Sequence, residues 1–347
     1  MFRLCAILLT AIMIPSATTA VAAPPATGPA PFRQGPCDGF NRDYFSNPEC
    51  DTLMMADPAP PVAPLAVDHG AVASYTYMHI TGTEPLVVYN APNGTPLYEI
   101  APGFNFVTPR STQGEWVEIN AGEWANSAYL EAVLPSMFTG VLIQAEPARA
   151  FGWFLRTMYT SERPGGPAIF RPENHVQRYQ VTYVYASTTV DDVDWYLVGP
   201  GQWIEQWYVG LAQRTVRPLE ASGRWLAVDL YEQTLVAYEN DTMVFATLVS
   251  SGLPGTSTAE GTFQVWGQRL NGPMTGAEGR SDYYRLENVP YALYFDGDTS
   301  LHGTYWHDGF GYRRSHGCVN LSITDAHWLY TWLDIDGWVH VYYSQPY

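Results

Sequence analysis

Apolar and polar residues alternate over short stretches in the last third of the chain, and this alternation predicts β-strands. Residues 224–252 contain two such runs with the turn signal Asn240-Asp241 between them, which predicts two strands around a turn. Further strands are predicted at residues 262–266, 291–297 and 337–343.

One later stretch has a helical period instead. Ser322 followed by Asp325 resembles a capping box, and the apolar residues after it fall on one helical face. These residues are Ala326, Leu329, Tyr330 and Leu333. We therefore expect residues 222–347 to form a mainly β domain with one short helix directly after Cys318.

Two central segments, residues 73–135 and 136–218, look like copies of one unit. In each, two tryptophans stand eight positions apart and a tyrosine follows five positions later: Trp116, Trp124 and Tyr129, then Trp195, Trp203 and Tyr208. Short β-rich runs broken by glycine and proline predict two small β-barrels. The aromatic spacing resembles that of bacterial SH3-like modules, which implies binding of a wall peptide or glycan. Each single tryptophan is interpreted as a packing residue.

The N-terminus has the pattern of an export signal, predicted at residues 1–22. Arg3 precedes an apolar run over residues 4–14, and a small-x-small pattern follows. The alternative is a retained anchor, but the run is shorter than a bilayer span of about 20 residues. Export would place the protein in the periplasm, the cell wall or outside the cell. Residues 23–72 are predicted to be a Pro-rich linker with a two-cysteine segment, in which residues 57–67 act as an extended spacer.

Composition narrows the function classes. Of 347 residues 14% are aromatic, so most of the chain is expected to fold, because disordered chains are poor in aromatic residues. Lysine and arginine together number 17 against 34 acidic residues, which gives a net charge of −17. No basic stripe is present, so nucleic acid is not an expected partner.

The cysteines separate into three groups. Cys5 would leave with the signal peptide, and Cys37 and Cys50 are close enough in sequence to form a disulfide in an oxidising compartment. Cys318 is then left alone. An unpaired cysteine in an exported protein is a candidate reactive thiol, and therefore a candidate nucleophile.

The residues around Cys318 favour thiol chemistry. A thiol becomes a nucleophile when a nearby imidazole removes its proton, and His302 and His316 are both candidates for that base. On a strand, His316 would share a face with Cys318. Gly317 would let the backbone approach a substrate, and the amides around it could donate hydrogen bonds to an oxyanion.

Two other interpretations of this cluster are open. Cys318 could be a buried structural thiol, although its polar neighbours are not a core pattern. Zinc could bind His302, His307, His316 and Cys318, although their spacing matches none of the common paired-ligand patterns. We expect no metal and no cofactor, with His307 as a surface or hydrogen-bonding residue near the site.

The pair of motifs HG at residues 302–303 and SHGCVN at residues 315–320 resembles the signature of the L,D-transpeptidase (YkuD-type) catalytic domain. The resemblance covers about a third of the chain, residues 224–341, and includes the segment SSGLPGTSTAEGTF. It implies a β-sandwich. Ala259 departs from the family pattern, which often has proline there, but it does not touch the chemistry.

The resemblance implies a role for each matching residue. Cys318 would be the nucleophile and His302 the base, with the backbone carbonyl of Gly303 orienting the imidazole ring. Arg314 either binds a substrate carboxylate or is solvated. The substrate and oxyanion pocket is expected to include Ser315, His316, Gly317 and Asn320.

The implied reaction is peptidoglycan crosslinking in two steps. Cys318 attacks a stem tetrapeptide and expels D-alanine, and an amine of a second stem peptide, implied to be a diaminopimelate side chain, resolves the thioester. Two alternatives stay open: water as the acceptor, which gives an L,D-carboxypeptidase, or a wall-binding SH3-like protein with a minor catalytic role.

Overall fold

The computed structural model of the protein describes residues 35–345. The predicted signal peptide at residues 1–22, with Cys5, and the beginning of the predicted linker lie outside the described residues. The described chain is mainly β, as predicted.

The described residues contain three α-helices. None of them is long and apolar enough to cross a membrane. The helices are α1 (Pro48–Ala56), α2 (His69–Val72) and α3 (Ile323–Trp332).

The strands fall into two groups along the chain. Those before residue 220 are β1 (Val62–Pro64), β2 (Tyr77–Ile80), β3 (Leu86–Tyr89), β4 (Pro96–Ile100), β5 (Phe104–Val107), β6 (Ser111–Gln113), β7 (Trp116–Asn120), β8 (Glu123–Asn126), β9 (Leu130–Val133), β10 (Val141–Ile143), β11 (Phe151–Phe154), β12 (Met158–Tyr159), β13 (His175–Val176), β14 (Val181–Tyr183), β15 (Ala186–Val190), β16 (Val193–Gly199), β17 (Gln202–Glu205) and β18 (Val209–Ala212). Those after it are β19 (Arg224–Asp229), β20 (Thr234–Glu239), β21 (Thr242–Leu248), β22 (Gly261–Gln264), β23 (Gly267–Gly276), β24 (Tyr284–Asp296), β25 (Thr299–Gly303), β26 (Val319–Leu321) and β27 (Trp338–Tyr342).

Two seven-stranded sheets form the centre of the molecule. The first has the order β1-β10-β21-β20-β19-β27-β22, and the second has the order β26-β25-β24-β5-β2-β9 with β23 paired to β24. Leu226 and Val228 of β19 share a hydrophobic core with Leu293 of β24, Leu301 of β25 and Leu329 of α3. The two sheets and the helix therefore enclose one core, as the family resemblance implies.

Strand β19 is buried on both faces. Its other face carries Trp225 and Ala227, which belong to a second core that includes Trp153 of β11 and Trp203 of β17. The alternation in this strand thus separates two cores rather than a core from solvent, which is why its residues are apolar on both sides.

The predicted pair of strands at residues 224–252 is three strands in the structure. The predicted turn is present, with Asn240 at φ 55°, but the first run is broken earlier, between β19 and β20. There the Asp229 carboxylate accepts hydrogen bonds from the backbone N–H of Tyr231 (2.9 Å) and of Glu232 (3.3 Å), and Gln233 takes φ 55°. A side-chain-stabilised turn without glycine or proline explains the missed break.

The central segments are joined to the two large sheets. Strand β5 pairs in parallel with β24, with Phe104 opposite Tyr284 and Phe106 opposite Leu286. The prediction of small closed barrels is not confirmed, because the strands of residues 73–218 are divided among several open sheets. The predicted spacer at residues 57–67 is also not free, since it contains β1, which pairs with β10.

The repeat seen in the sequence corresponds to a repeat of elements. Strands β7 and β8, a 3₁₀ turn and β9 follow one another in the first copy, and β16, β17, a 3₁₀ turn and β18 do so in the second. The hairpin of each copy turns at a glycine with positive φ, Gly122 or Gly201.

The two-cysteine segment packs against the second copy. Cys37 and Cys50 form a disulfide, and both side chains lie in the core that contains Trp203. Asn47 caps α1 by accepting a hydrogen bond from the backbone N–H of Glu49 at 2.9 Å.

Candidate active site

Two adjacent strands bring the predicted catalytic residues together. Strands β25 and β26 run parallel, with His302 opposite Asn320 and Leu301 opposite Val319. Cys318 directly precedes β26 and so lies beside Ser300, whose Oγ is 3.8 Å from the Cys318 Sγ. The two segments of the motif, distant in sequence, therefore meet through strand pairing.

The Cys318 thiol is half-buried and protonated in the resting protein. Burial raises its pKa above the ordinary value, and hydrogen bonds from Ser300 oppose this only in part. A thiol in this state can act as a nucleophile only when a base removes its proton.

His302 is buried, and its imidazole has a fixed orientation. Its Nδ1 lies 3.1 Å from the backbone carbonyl oxygen of Gly303, to which it donates a hydrogen bond. The neutral ring therefore carries its proton on Nδ1 and leaves the Nε2 lone pair free. Burial lowers the pKa of His302 to about 4, so the ring is neutral at physiological pH.

The segment around Cys318 differs from the strand expected there. Residues 316–318 form a bend, with Gly317 at φ 124°, and β26 starts only at Val319. His316 is not placed beside Cys318 by strand alternation: its Nε2 lies 3.1 Å from the Asp282 carboxylate. Because these residues do not form a strand, alternation does not relate His316 to Cys318.

The Ser315 side chain stabilises the bend through two hydrogen bonds. Its hydroxyl donates to the Cys318 carbonyl and accepts from the backbone N–H of Gly317 at 3.1 Å. The segment 250–258 supports the bend from outside, where the backbone N–H of Leu253 donates to the Ser315 carbonyl at 2.9 Å. The amide of Gly317 is thus already bonded, which leaves that of Cys318 as the candidate oxyanion donor.

His307 is a half-buried, hydrogen-bonding residue near Cys318. Its Nδ1 accepts from the backbone N–H of Gly309 at 3.1 Å, and its Nε2 lies 2.9 Å from the side-chain amide of Asn320. Burial lowers its pKa to about 3, so it is neutral and carries its proton on Nε2. That proton needs an acceptor, so the amide group of Asn320 is oriented with its oxygen, not its nitrogen, towards His307 Nε2. No spacing signal distinguishes His307 in the sequence.

No group of three or more His, Cys, Asp or Glu side chains in residues 35–345 is arranged to hold a metal ion. The ring nitrogens of His302 and His307 are directed instead at backbone and amide groups.

Residues 223–341 match the family model of the L,D-transpeptidase catalytic domain. The sequence comparison with curated proteins finds no match. Similar solved structures include an L,D-transpeptidase from Stackebrandtia nassauensis, at 30% identity over 36% of this chain and 58% of that one, with a TM-score of 0.29. An Enterococcus faecium L,D-transpeptidase is 25% identical over 38% of this chain and 55% of its own, with a TM-score of 0.33. L,D-transpeptidase 3 from Mycobacterium tuberculosis is 18% identical over 48% and 75%, with a TM-score of 0.33.

The matched region, residues 223–341, opens on a cleft of about 480 Å³, here called the thiol cleft, which both His302 and Cys318 line. This is the size of a pocket that binds a small organic ligand or a peptide segment. Phe104 also lines it, although it belongs to β5, outside the matched residues. The first central segment therefore contributes Phe104 to the lining of the cleft, which the sequence motifs did not indicate.

Alkylation of Cys318 by iodoacetamide is expected to accelerate by about tenfold per pH unit until the pH exceeds the ordinary thiol pKa of 9.0, because only the thiolate reacts and burial raises the pKa of Cys318. Mass spectrometry of the modified protein over time measures the rate, with Cys318→Ala as the unlabelled control. A plateau near neutral pH would contradict this, since it would indicate a resting thiolate paired with a charged His302.

Proposed function

We propose that this protein is a peptidoglycan L,D-transpeptidase that forms crosslinks through a thioester on Cys318. The observation that carries the proposal is the His302 imidazole, held by the Gly303 carbonyl so that its free Nε2 serves as a base in the thiol cleft. The match of residues 223–341 to the family supports it.

In the first step, His302 Nε2 takes the thiol proton while Cys318 Sγ attacks the carbonyl carbon of the stem peptide. The backbone N–H of Cys318 donates to the oxyanion that forms. The C–N bond then breaks, and the proton on His302 passes to the leaving nitrogen of D-alanine. The product is a thioester on Cys318 and a free amino acid.

In the second step, the amine of another stem peptide attacks the thioester carbonyl and gives its proton to His302. The C–S bond breaks, the new amide is the crosslink, and the thiolate recovers the proton. Charge and protons balance over the two steps.

The disulfide between Cys37 and Cys50 supports the export that the N-terminal signal predicts, because disulfides persist in oxidising compartments. We accordingly place the activity outside the cytoplasm, where stem peptides are exposed.

Incubation with a disaccharide tetrapeptide is expected to give one covalent adduct per protein, equal in mass to the substrate less D-alanine, followed by crosslinked dimers. Intact mass spectrometry and peptide mapping to Cys318 check the first, and chromatography of the products checks the second. A carbapenem is expected to give a single adduct on the same residue.

Two results would contradict the proposal. Undiminished product with Cys318→Ala would exclude the thiol chemistry. Tripeptide without dimers, in the presence of excess acceptor, would favour an L,D-carboxypeptidase instead.

A further inference from the structure

A second cavity, of about 390 Å³, adjoins the thiol cleft. His307 and Arg314 line both cavities, so the two meet at these side chains. The rest of its lining includes Arg156, Arg178 and Asp308. We call the group of Arg156, Arg178 and Arg314 the arginine pocket.

The arginine pocket carries uncompensated positive charge. Arg178 Nη1 lies 2.8 Å from the Asp308 carboxylate, and this pair is neutral overall. The ion pairs within residues 35–345 include neither Arg156 nor Arg314. Two guanidinium groups without an acidic partner therefore stand beside the thiol cleft of a chain with a net charge of −17.

Arg156 is held at this place by a buried neighbour. Leu155 is 4% exposed, and its backbone N–H donates to the Tyr208 carbonyl at 2.8 Å. Its side chain packs so closely on Gly311 that a Cβ there would lie 2.3 Å from it. The Arg156 guanidinium itself is positioned over the ring of Tyr208, 5.6 Å from its centroid.

Arg178 is held by the residue after it. The Tyr179 hydroxyl donates to the backbone carbonyl of Asp308 at 2.8 Å, and the Arg178 guanidinium lies 4.1 Å from the centre of the Tyr179 ring. Both arginines belong to residues 136–218. The second central segment thus completes a pocket next to the chemistry of the L,D-transpeptidase domain.

We propose that the arginine pocket is a subsite for the carboxylate of the amine component of the reaction. This inference rests on the proposed function. A leaving D-amino acid has its nitrogen and its carboxylate on the same carbon, and an acceptor amine next to a carboxylate has the same arrangement. One cationic subsite beside the thioester therefore serves both, and the planar guanidinium fork is suited to bind a carboxylate through two hydrogen bonds.

The test compares acids with amides in Arg156→Gln and in the wild-type protein. Arg156 is exposed, so its replacement leaves the core intact. In the donor arm, the rate of acyl-enzyme formation is measured with a tetrapeptide ending in D-alanine and with one ending in D-alaninamide. In the acceptor arm, preformed acyl-enzyme is treated with D-methionine or D-methioninamide, and the exchange product is quantified.

The wild-type protein is expected to prefer the acid by about tenfold, the size of effect that a hydrogen bond to a charged group commonly gives. Arg156→Gln should reduce this preference to near one. Arg163→Gln, which removes the same charge from the same segment at a position that lines neither cavity, should keep it.

The arms separate the two sources of the carboxylate. Loss of the preference in the donor arm alone assigns the subsite to the leaving group, and loss in the acceptor arm alone assigns it to the attacking amine. Loss in both arms means that the subsite binds first the leaving group and then the attacking amine. An unchanged acid-to-amide ratio in both arms, with normal acyl-enzyme formation, would overturn the subsite alone. Absence of an acyl-enzyme in the wild-type protein would overturn the proposed function itself.

Discussion

His302→Gln is expected to slow acylation of Cys318 by about 10²–10⁴-fold, the usual range for loss of a general base. His302 is 2% exposed, and its Nδ1 proton is donated to the Gly303 carbonyl, so its Nε2 carries no proton. A glutamine amide fills similar space but cannot take up the thiol proton. The rate of carbapenem adduct formation, followed by intact mass spectrometry, measures the loss.

His327→Gln is the matched control. His327 lies on α3, its Nδ1 is 2.7 Å from the Asp68 carboxylate, and it does not line the thiol cleft. Its replacement should leave the acylation rate close to that of the wild-type protein.

His316→Gln distinguishes the two bases that the sequence allowed. Because His316 is directed at Asp282, its loss should affect acylation less than the loss of His302. The opposite order of effects would show that His316 moves to Cys318 when substrate binds, and the assignment of His302 would fail.

The parts of the structure that were predictable from the sequence are those specified by local signals. Ser322 accepts a hydrogen bond from the Asp325 backbone N–H, as the capping pattern predicts, and α3 begins at the next residue. The turn at Asn240 is likewise set by residues that tolerate positive φ. In both cases the determining contact joins neighbours in the chain.

The parts that were missed depend on contacts between distant residues. Phe104 reaches the thiol cleft only because β5 pairs with β24, whose Tyr284 stands opposite it. The partner of His307, the Asn320 side chain, is likewise set by the meeting of two separate segments. No periodicity within either segment indicates such pairing, so the sequence motifs did not indicate the walls of the cleft.

The two central segments also differ in a way that their sequences do not reveal. Residues 73–135 and 136–218 look like two copies in sequence, and the element order repeats as the aromatic spacing does. The copies nevertheless differ in burial: Trp195 and Trp203 are buried, whereas Trp116 and Trp124 are only half-buried. The second copy is covered by the two-cysteine segment, and repeated spacing alone does not reveal that cover.

Trp203→Ala is expected to lower the free energy of unfolding by about 3–5 kcal/mol, as for other large aromatic residues removed from a core. The Trp203 side chain is 0% exposed, its ring meets that of Phe40 edge-on at 5.7 Å, and its indole N–H donates to the Phe45 carbonyl at 3.2 Å. It therefore connects the second copy to the disulfide-bonded segment. Urea unfolding followed by circular dichroism measures the change.

Trp207→Ala is the control, because Trp207 lies four positions later and is 49% exposed. Its loss should cost less than about 1 kcal/mol. Trp203→Phe keeps most of the ring contact and removes the hydrogen bond, so it should fall between the two, since such a bond contributes about 1 kcal/mol. Equal effects of Trp203→Ala and Trp207→Ala would contradict the packing role. A large loss of wall binding with Trp203→Ala in a protein of unchanged stability would assign the repeated tryptophan to recognition instead.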